Sequence, residues 1–201
     1  MQKIIDIHGH LGNINFVPFW AADGDKLADY CKKSGVDKLC LSASRAIMYD
    51  VREGNAELDA TLKAHDEFYG YVVVSPTFPD SLDDLKYLKT NKKFRGIKIH
   101  PDYHGYDLSV PSNFNFVDKV LNKTPMALFH CSCMPGSGNS PFATVVELAR
   151  RNPKTKIVAA HGAGLFQNGN YPFFPNLDSL EREAAKGLPK NLWVDTAHYL
   201  L

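Results

Sequence analysis

The chain has 201 residues, 44% of them hydrophobic and 22% charged, with 23 basic against 22 acidic side chains for a formal net charge of +1. That length suits one domain over residues 1–201 with a substantial core, and the near-neutral charge gives no electrostatic reason to expect nucleic acid or an anionic membrane as partner. A small-molecule ligand is the expectation, and a cytoplasmic setting follows from the lack of a membrane-length apolar run or a signal-peptide pattern at the N-terminus.

The first predicted strand is Ile4-Ile5-Asp6-Ile7-His8-Gly9-His10-Leu11-Gly12. Strict alternation puts Asp6, His8 and His10 on one face and Ile5 and Ile7 on the other. Two imidazoles then point the same way, with Cα atoms about 6.6 Å apart, close enough to share one ion at about 2.0–2.1 Å. Asn13 to Trp20 reads as an aromatic loop. Asp23 or Asp25 caps a helix running to Ser34, which Gly35 closes.

Val36 to Ala43 is the second strand, Asn55 to Phe68 a helix, and Tyr69 to Ser75 the third strand. A helix opens at Asp80 or Ser81 and carries Leu82, Leu85 and Leu88. Strand four is Phe94 to His100, with a helix near Phe114 to Asn122 after it. Strand five is Met126 to His130, followed by a helix from Phe142 to Arg151. Strand six is Lys156 to His161, followed by a helix from Leu177 to Lys186, and Leu192 to Thr196 is strand seven.

Seven strands in alternation with six helices imply parallel strands joined by right-handed crossovers. No glycine-rich phosphate loop follows the first strand, which favours a TIM-type (β/α) barrel over an open nucleotide-binding sheet. A barrel gathers the C-terminal ends of its strands on one rim. His8, His10, His100, His130 and His161, five of the eight histidines, fall at strand C-termini, and that pattern points to a metal site.

His130 is a ligand candidate. His161, before the Gly162-Ala163-Gly164 turn, is a second ligand or a proton donor to the reacting group. Lys98 and His100 share a face of strand four, where Lys98 reads as a substrate-carboxylate ligand, a carbamylated metal bridge or a plain ion-pair partner. The stretch from His100 to Tyr106 reads as a substrate loop walled by Tyr103 or Tyr106. Asp195 is the one acid at the end of a late strand and a candidate carboxylate ligand or base. Cys31, Cys40, Cys131 and Cys133 read as reduced thiols, with Cys131 and Cys133 a less favoured soft ligand pair. His65 and His198 have no assignment.

These motifs resemble those of the amidohydrolase superfamily, in its amidohydrolase-2 branch of metal-dependent hydrolases and decarboxylases. The matching residues are Asp6 to Gly12, Gly96-Ile97-Lys98-Ile99-His100-Pro101, His130, and Ile157 to Gly164, and the likeness spans nearly the whole chain. The resemblance implies a distorted eight-fold barrel with zinc, or less often manganese or iron, held by His8, His10 and His130, with His161 orienting water or polarising substrate. In that family the last ligand and base is an aspartate ending strand eight, which the sequence does not reach. Further sequence, a partner chain such as a second copy, or an altered site are the alternatives.

The mechanism implied is attack of metal-activated water on an ester, lactone or amide carbonyl. The alternatives are a decarboxylase on the same scaffold and a barrel without catalysis. A His-x-His nuclease of the TatD type ranks last, because such enzymes carry a glutamate where Lys98 and His100 stand.

Overall fold

Short β-branched and aromatic runs alternate with amphipathic segments, and nearly every run becomes the element that its period predicts. A computed structural model describes residues 3–14, 22–131, 140–164 and 175–197. Most of the predicted aromatic loop, Cys133 and His198 lie outside the described residues. Seven strands are present among the described residues, parallel in every described pairing. No helix among the described residues is long and apolar enough to cross a membrane. The chain packs as two units, Met1–Val74 with Asp80–Gly96, and Ser75–Pro79 with Ile97–Leu201.

In the first unit, β1 (Ile5–Leu11), β2 (Lys38–Ala43) and β3 (Phe68–Val73) lie side by side in that order. Helix α1 (Gly24–Ser34) starts where Asp23 accepts a hydrogen bond from the Lys26 amide at 2.9 Å, and ends at Gly35 with φ 69°. Asp25 in its first turn and Lys32 and Lys33 in its last complement the helix dipole. Two helices, α2 (Ser44–Met48) and α3 (Val51–Ala64), connect β2 to β3.

The predicted helix from Asn55 in fact starts at Val51, capped by the Asp50 carboxylate on the Glu53 amide at 2.9 Å. Its first turn buries Val51 and Gly54 in place of leucines, so apolar periodicity does not reveal it, and the five-residue α2 is too short to show a period. Asn55 sits inside α3, buried, where its amide exchanges hydrogen bonds with the N–H and C=O of Val73 at 2.9 Å each and also reaches Asp84 at 3.0 Å. The end of β3 is satisfied by a side chain.

Strict alternation fails in β1. Ile5 and Asp6 pair with Lys38 and Leu39, but Gly9, His10 and Leu11 pair with Leu41, Ser42 and Ala43, a register slip between Asp6 and Gly9. Two residues of β1 then oppose one of β2, which moves Asp6 to the face opposite His10. The Tyr71 hydroxyl, on a fully buried ring, donates to the Ile7 carbonyl at the bulge at 3.0 Å.

The predicted helix from Asp80 is a 3₁₀ segment, Pro79–Lys86, followed by the single turn α4 (Tyr87–Thr90). Buried Ser81 and Asp84 stand three residues apart while Leu82 is exposed, so the inward spacing is that of a three-residue turn. Arg52 holds the buried Asp84 carboxylate at 3.1 Å.

β4 (Phe94–Ile99) places its last three residues in the second unit, beside β5 (Met126–Phe129), β6 (Lys156–Ala159) and β7 (Leu192–Val194) in that order. Between them come α5 (Pro101–His104), α6 (Pro111–Leu121), α7 (Phe142–Arg151), a 3₁₀ turn at His161–Ala163 and α8 (Pro175–Ala185). The residues read as a substrate loop include the whole of α5, a helical turn with Pro101 at its start and Gly105 left-handed at its end, φ 66°. Strict alternation of single helices is therefore broken twice, after β2 and after β4.

Gly54 lies where a Cβ would come 2.1 Å from the Ala46 backbone nitrogen, so α2 and α3 can cross only with hydrogen at this position. Gly54→Ala is expected to destabilise the protein by about 1–3 kcal/mol despite alanine's better helix propensity, read as a lower urea midpoint. An unchanged or raised midpoint would refute the contact.

Candidate metal centre

In the first unit the bulge of β1 presents His8 and His10 together, their ring centroids 5.4 Å apart and tilted by 55°. The His10 Nδ1 lies 3.2 Å from the Ser42 hydroxyl on the paired position of β2, which holds the ring by its inner nitrogen. A Cβ on Gly9 would come 2.8 Å from a Leu39 methyl, so glycine keeps the two strands close between the histidines. Beyond Leu11 the chain turns at Gly12, φ 86°, whose carbonyl accepts from Ser44 at 2.9 Å. Asp6, expected beside the histidines, instead accepts the His8 amide at 2.9 Å.

The second unit holds the other three strand-end histidines. His130 and His161 meet with Nδ1 of the first 3.2 Å from Nε2 of the second. Their outer nitrogens face oxygen: His130 Nε2 lies 3.2 Å from an Asp102 carboxylate oxygen and His161 Nδ1 lies 3.2 Å from the Ala197 carbonyl. A carbonyl can only accept, and so can an ionised carboxylate, so both outer nitrogens carry hydrogen. The two inner nitrogens then face each other as lone pairs unless a cation lies between.

A proton would meet that need, leaving one imidazolium opposite Asp102. A metal ion would also meet it: two nitrogens bound at about 2.0–2.1 Å to a tetrahedral ion stand roughly 3.3 Å apart. The observed 3.2 Å spacing therefore fits two ligands of a single ion.

His130 is held in plane by stacking on His100, with centroids 3.9 Å apart and planes 14° from parallel. Tyr103 stacks on His100 at 4.5 Å and 9°, its centroid 6.3 Å from that of His130. Tyr103 is half exposed while His100 is buried, so the predicted substrate residues form one wall whose open side is Tyr103. The Tyr106 ring, the other predicted wall, is buried.

His161 itself sits at φ 60° and Ala163 at φ 73°, left-handed conformations that side chains with a Cβ rarely adopt. Asp195 holds this turn. One of its carboxylate oxygens accepts the amides of His161 at 2.8 Å and Ala197 at 3.1 Å, and its backbone carbonyl accepts the Gly162 amide at 2.8 Å. Strain of about 1–3 kcal/mol per residue persists only where such contacts over-determine it, and it concentrates at functional sites.

Lys98 is wholly buried, and desolvation pulls its ammonium from 10.5 down to about 8 against the opposing charge of Asp195. The Cys131 thiol is pushed up to about 12, chiefly by burial. Asp102, which the sequence reading passed over, is the acid that grips His130. The signal for it was available in Pro101 and Gly105, which bracket a helical turn and place Asp102 in it.

The sequence matches the family model described as Amidohydrolase over residues 5–198. No curated protein matches it. Among solved structures it is similar to an Acinetobacter baumannii protein assigned as a 2-pyrone-4,6-dicarboxylic acid hydrolase, at 15% identity and TM-score 0.64 over 98% of this chain and 71% of that one. A Staphylococcus aureus protein assigned as an amidohydrolase aligns at 12% identity and TM-score 0.68 over 100% of this chain and 81% of the other. A TIM-barrel protein of uncharacterised function from Bordetella bronchiseptica aligns at 13% and 0.66 over 99% and 76%. At such identities the likeness is one of fold: the chain has a TIM-type (β/α) barrel architecture, seven strands of which are described.

The buried Lys98 sets a pH dependence whose sign follows from its lowered folded-state pKa. Between about pH 8 and 10.5 the unfolded chain binds the extra proton, so stability gained from this group rises with pH across that window. Lys98→Met is expected to be more stable than the parent at pH 7 by roughly 1–3 kcal/mol and to flatten the rise between pH 8 and 10, measured by urea unfolding at each pH. Parallel pH curves for the two proteins would show that Lys98 keeps an ordinary proton affinity in the fold.

Proposed function

The chain belongs to the amidohydrolase family, and from that premise we propose that it is a metal-dependent hydrolase acting on an ester, lactone or amide carbonyl of a small molecule. The observation that carries this reading is the inward convergence of His130 Nδ1 and His161 Nε2 at the separation of two donors on one ion. The motif of β1 makes His8 and His10 ligand candidates of the first unit. Imidazole donors suit zinc first, with manganese or iron(II) as alternatives.

Bound there, the ion would supply Lewis acidity to the substrate carbonyl and to water. The side chains do the rest. Asp195 is the proposed proton acceptor, its carboxylate held in place by two backbone amides. His161 is fixed by the Ala197 carbonyl on Nδ1, which turns its Nε2 toward the ion. His100 and Tyr103 form the aromatic wall against which a flat substrate lies, and Lys98 supplies a buried positive charge for a substrate carboxylate. The likeness of fold to a protein assigned as a pyrone dicarboxylic acid hydrolase agrees with a lactone bearing carboxylates as one substrate to try.

The His130→Ala, His161→Ala double variant is expected to lose both bound zinc and turnover of a panel of esters and lactones. Zinc is counted by elemental analysis and the product by titration of released acid. Full zinc content in that variant would end the proposal, and release of carbon dioxide in place of a new carboxylic acid would reassign the chemistry to decarboxylation.

A further inference from the structure

We infer that Asp102 is a positioning residue for the metal centre, selecting the His130 ring orientation that offers Nδ1 to the ion. This inference rests on the metal-dependent reading above. The Asp102 side chain is 5% exposed and its carboxylate oxygen lies 3.2 Å from His130 Nε2. It stands in a single helical turn, α5, pinned by Pro101 at one end and by left-handed Gly105 at the other.

Stacking alone does not settle the orientation of His130. The His100 ring, 3.9 Å away and nearly parallel, fixes the plane of the His130 imidazole. A half-turn of the ring about its Cβ–Cγ bond keeps that plane yet exchanges nitrogen for carbon on both edges. The flipped ring would turn Cδ2 toward His161 and Cε1 toward Asp102. That flip would break the hydrogen bond between Nε2 and the Asp102 carboxylate, so the carboxylate favours the unflipped ring. Asp102 therefore decides which His130 atom meets the ion, and it does so without touching the ion. Removing carboxylate partners of this kind commonly weakens metal affinity 10–100-fold.

The test uses the full chain, stripped with chelator and titrated with Zn²⁺ alone. Asp102→Ala is expected to weaken zinc binding roughly 10–100-fold, and Asp102→Asn, which keeps the size and a neutral acceptor, by less. Asp107→Asn, an exposed acid six residues before Asn113 on the same connection, removes one negative charge without reaching His130 and is expected to leave the affinity within about twofold.

Long-range ¹H–¹⁵N correlation spectra of the zinc-loaded proteins supply a readout that loss of charge or of general stability would not move. In the parent His130 is expected to show a hydrogen on Nε2 and a metal-shifted Nδ1, and in Asp102→Ala that pattern is expected to be lost or mixed. Should Asp102→Ala fail to fold, Asp102→Asn carries both measurements. Zinc binding by the parent together with unchanged affinity and an unchanged His130 pattern in the variants would overturn the role of Asp102 alone. Failure of the parent to take up Zn²⁺, and likewise Mn²⁺ and Fe²⁺ in the same titration, would overturn the metal-dependent reading and this inference with it.

Discussion

Two imidazole nitrogens that face one another at 3.2 Å, each with its opposite nitrogen committed to an oxygen acceptor, require a cation between them. Much of the second unit can be understood as meeting that requirement. β5 delivers His130 and β6 delivers His161 from neighbouring parallel strands, with Phe129 paired to Ala159. Asp102 and the Ala197 carbonyl hold the outer edges, and the Tyr103–His100–His130 stack holds the ring planes. The inner edges are left pointing at the same place.

Holding this arrangement opposes stability. Left-handed backbone at His161 and Ala163 is unfavourable for residues with a Cβ, and a lysine without exposed surface keeps its charge only against desolvation. Neither feature improves packing. The first lies on the turn that carries His161 and the second on the strand that leads to His100, and the cost is borne by ordinary means nearby. The Asn191 amide ties the carbonyls of Ala149, Asn152 and Thr155 at 2.9–3.0 Å, and Thr155 in turn bonds Leu121 and Thr124. Carbonyls at the ends of the helices are thereby satisfied.

The first unit solves a different problem, that of presenting two side chains from one strand. A regular strand would give the His8 and His10 face to Asp6 as well. The bulge removes the acid from that face, and the Tyr71 hydroxyl occupies the Ile7 carbonyl at the irregular step. Gly9 permits the close approach of Leu39, and Ser42 holds His10 by Nδ1. The result is a pair of imidazoles whose orientation is set by neighbours on β2 and β3.

Local chemistry was legible in the amino-acid sequence. The Asp23 cap and the Gly35 stop bound α1, the apolar period of residues 142–151 marks α7 to the residue, and the strand runs ending in His100, His130 and His161 place those residues where they are found. These features depend on neighbours a few positions away, so periodicity and capping suffice to read them. The register slip in β1, the burial of Asn55 and Asp84, the 3₁₀ turn before α4 and the grip of Asp102 on His130 were decided only by tertiary structure. Each is set by a partner 18 to 32 positions away or on an adjoining strand: Asn55 by Val73, Asp84 by Arg52, and His130 by Asp102. Sequence order contains no distance across a sheet, and a hydrogen bond between such residues comes into being only when the chain has folded.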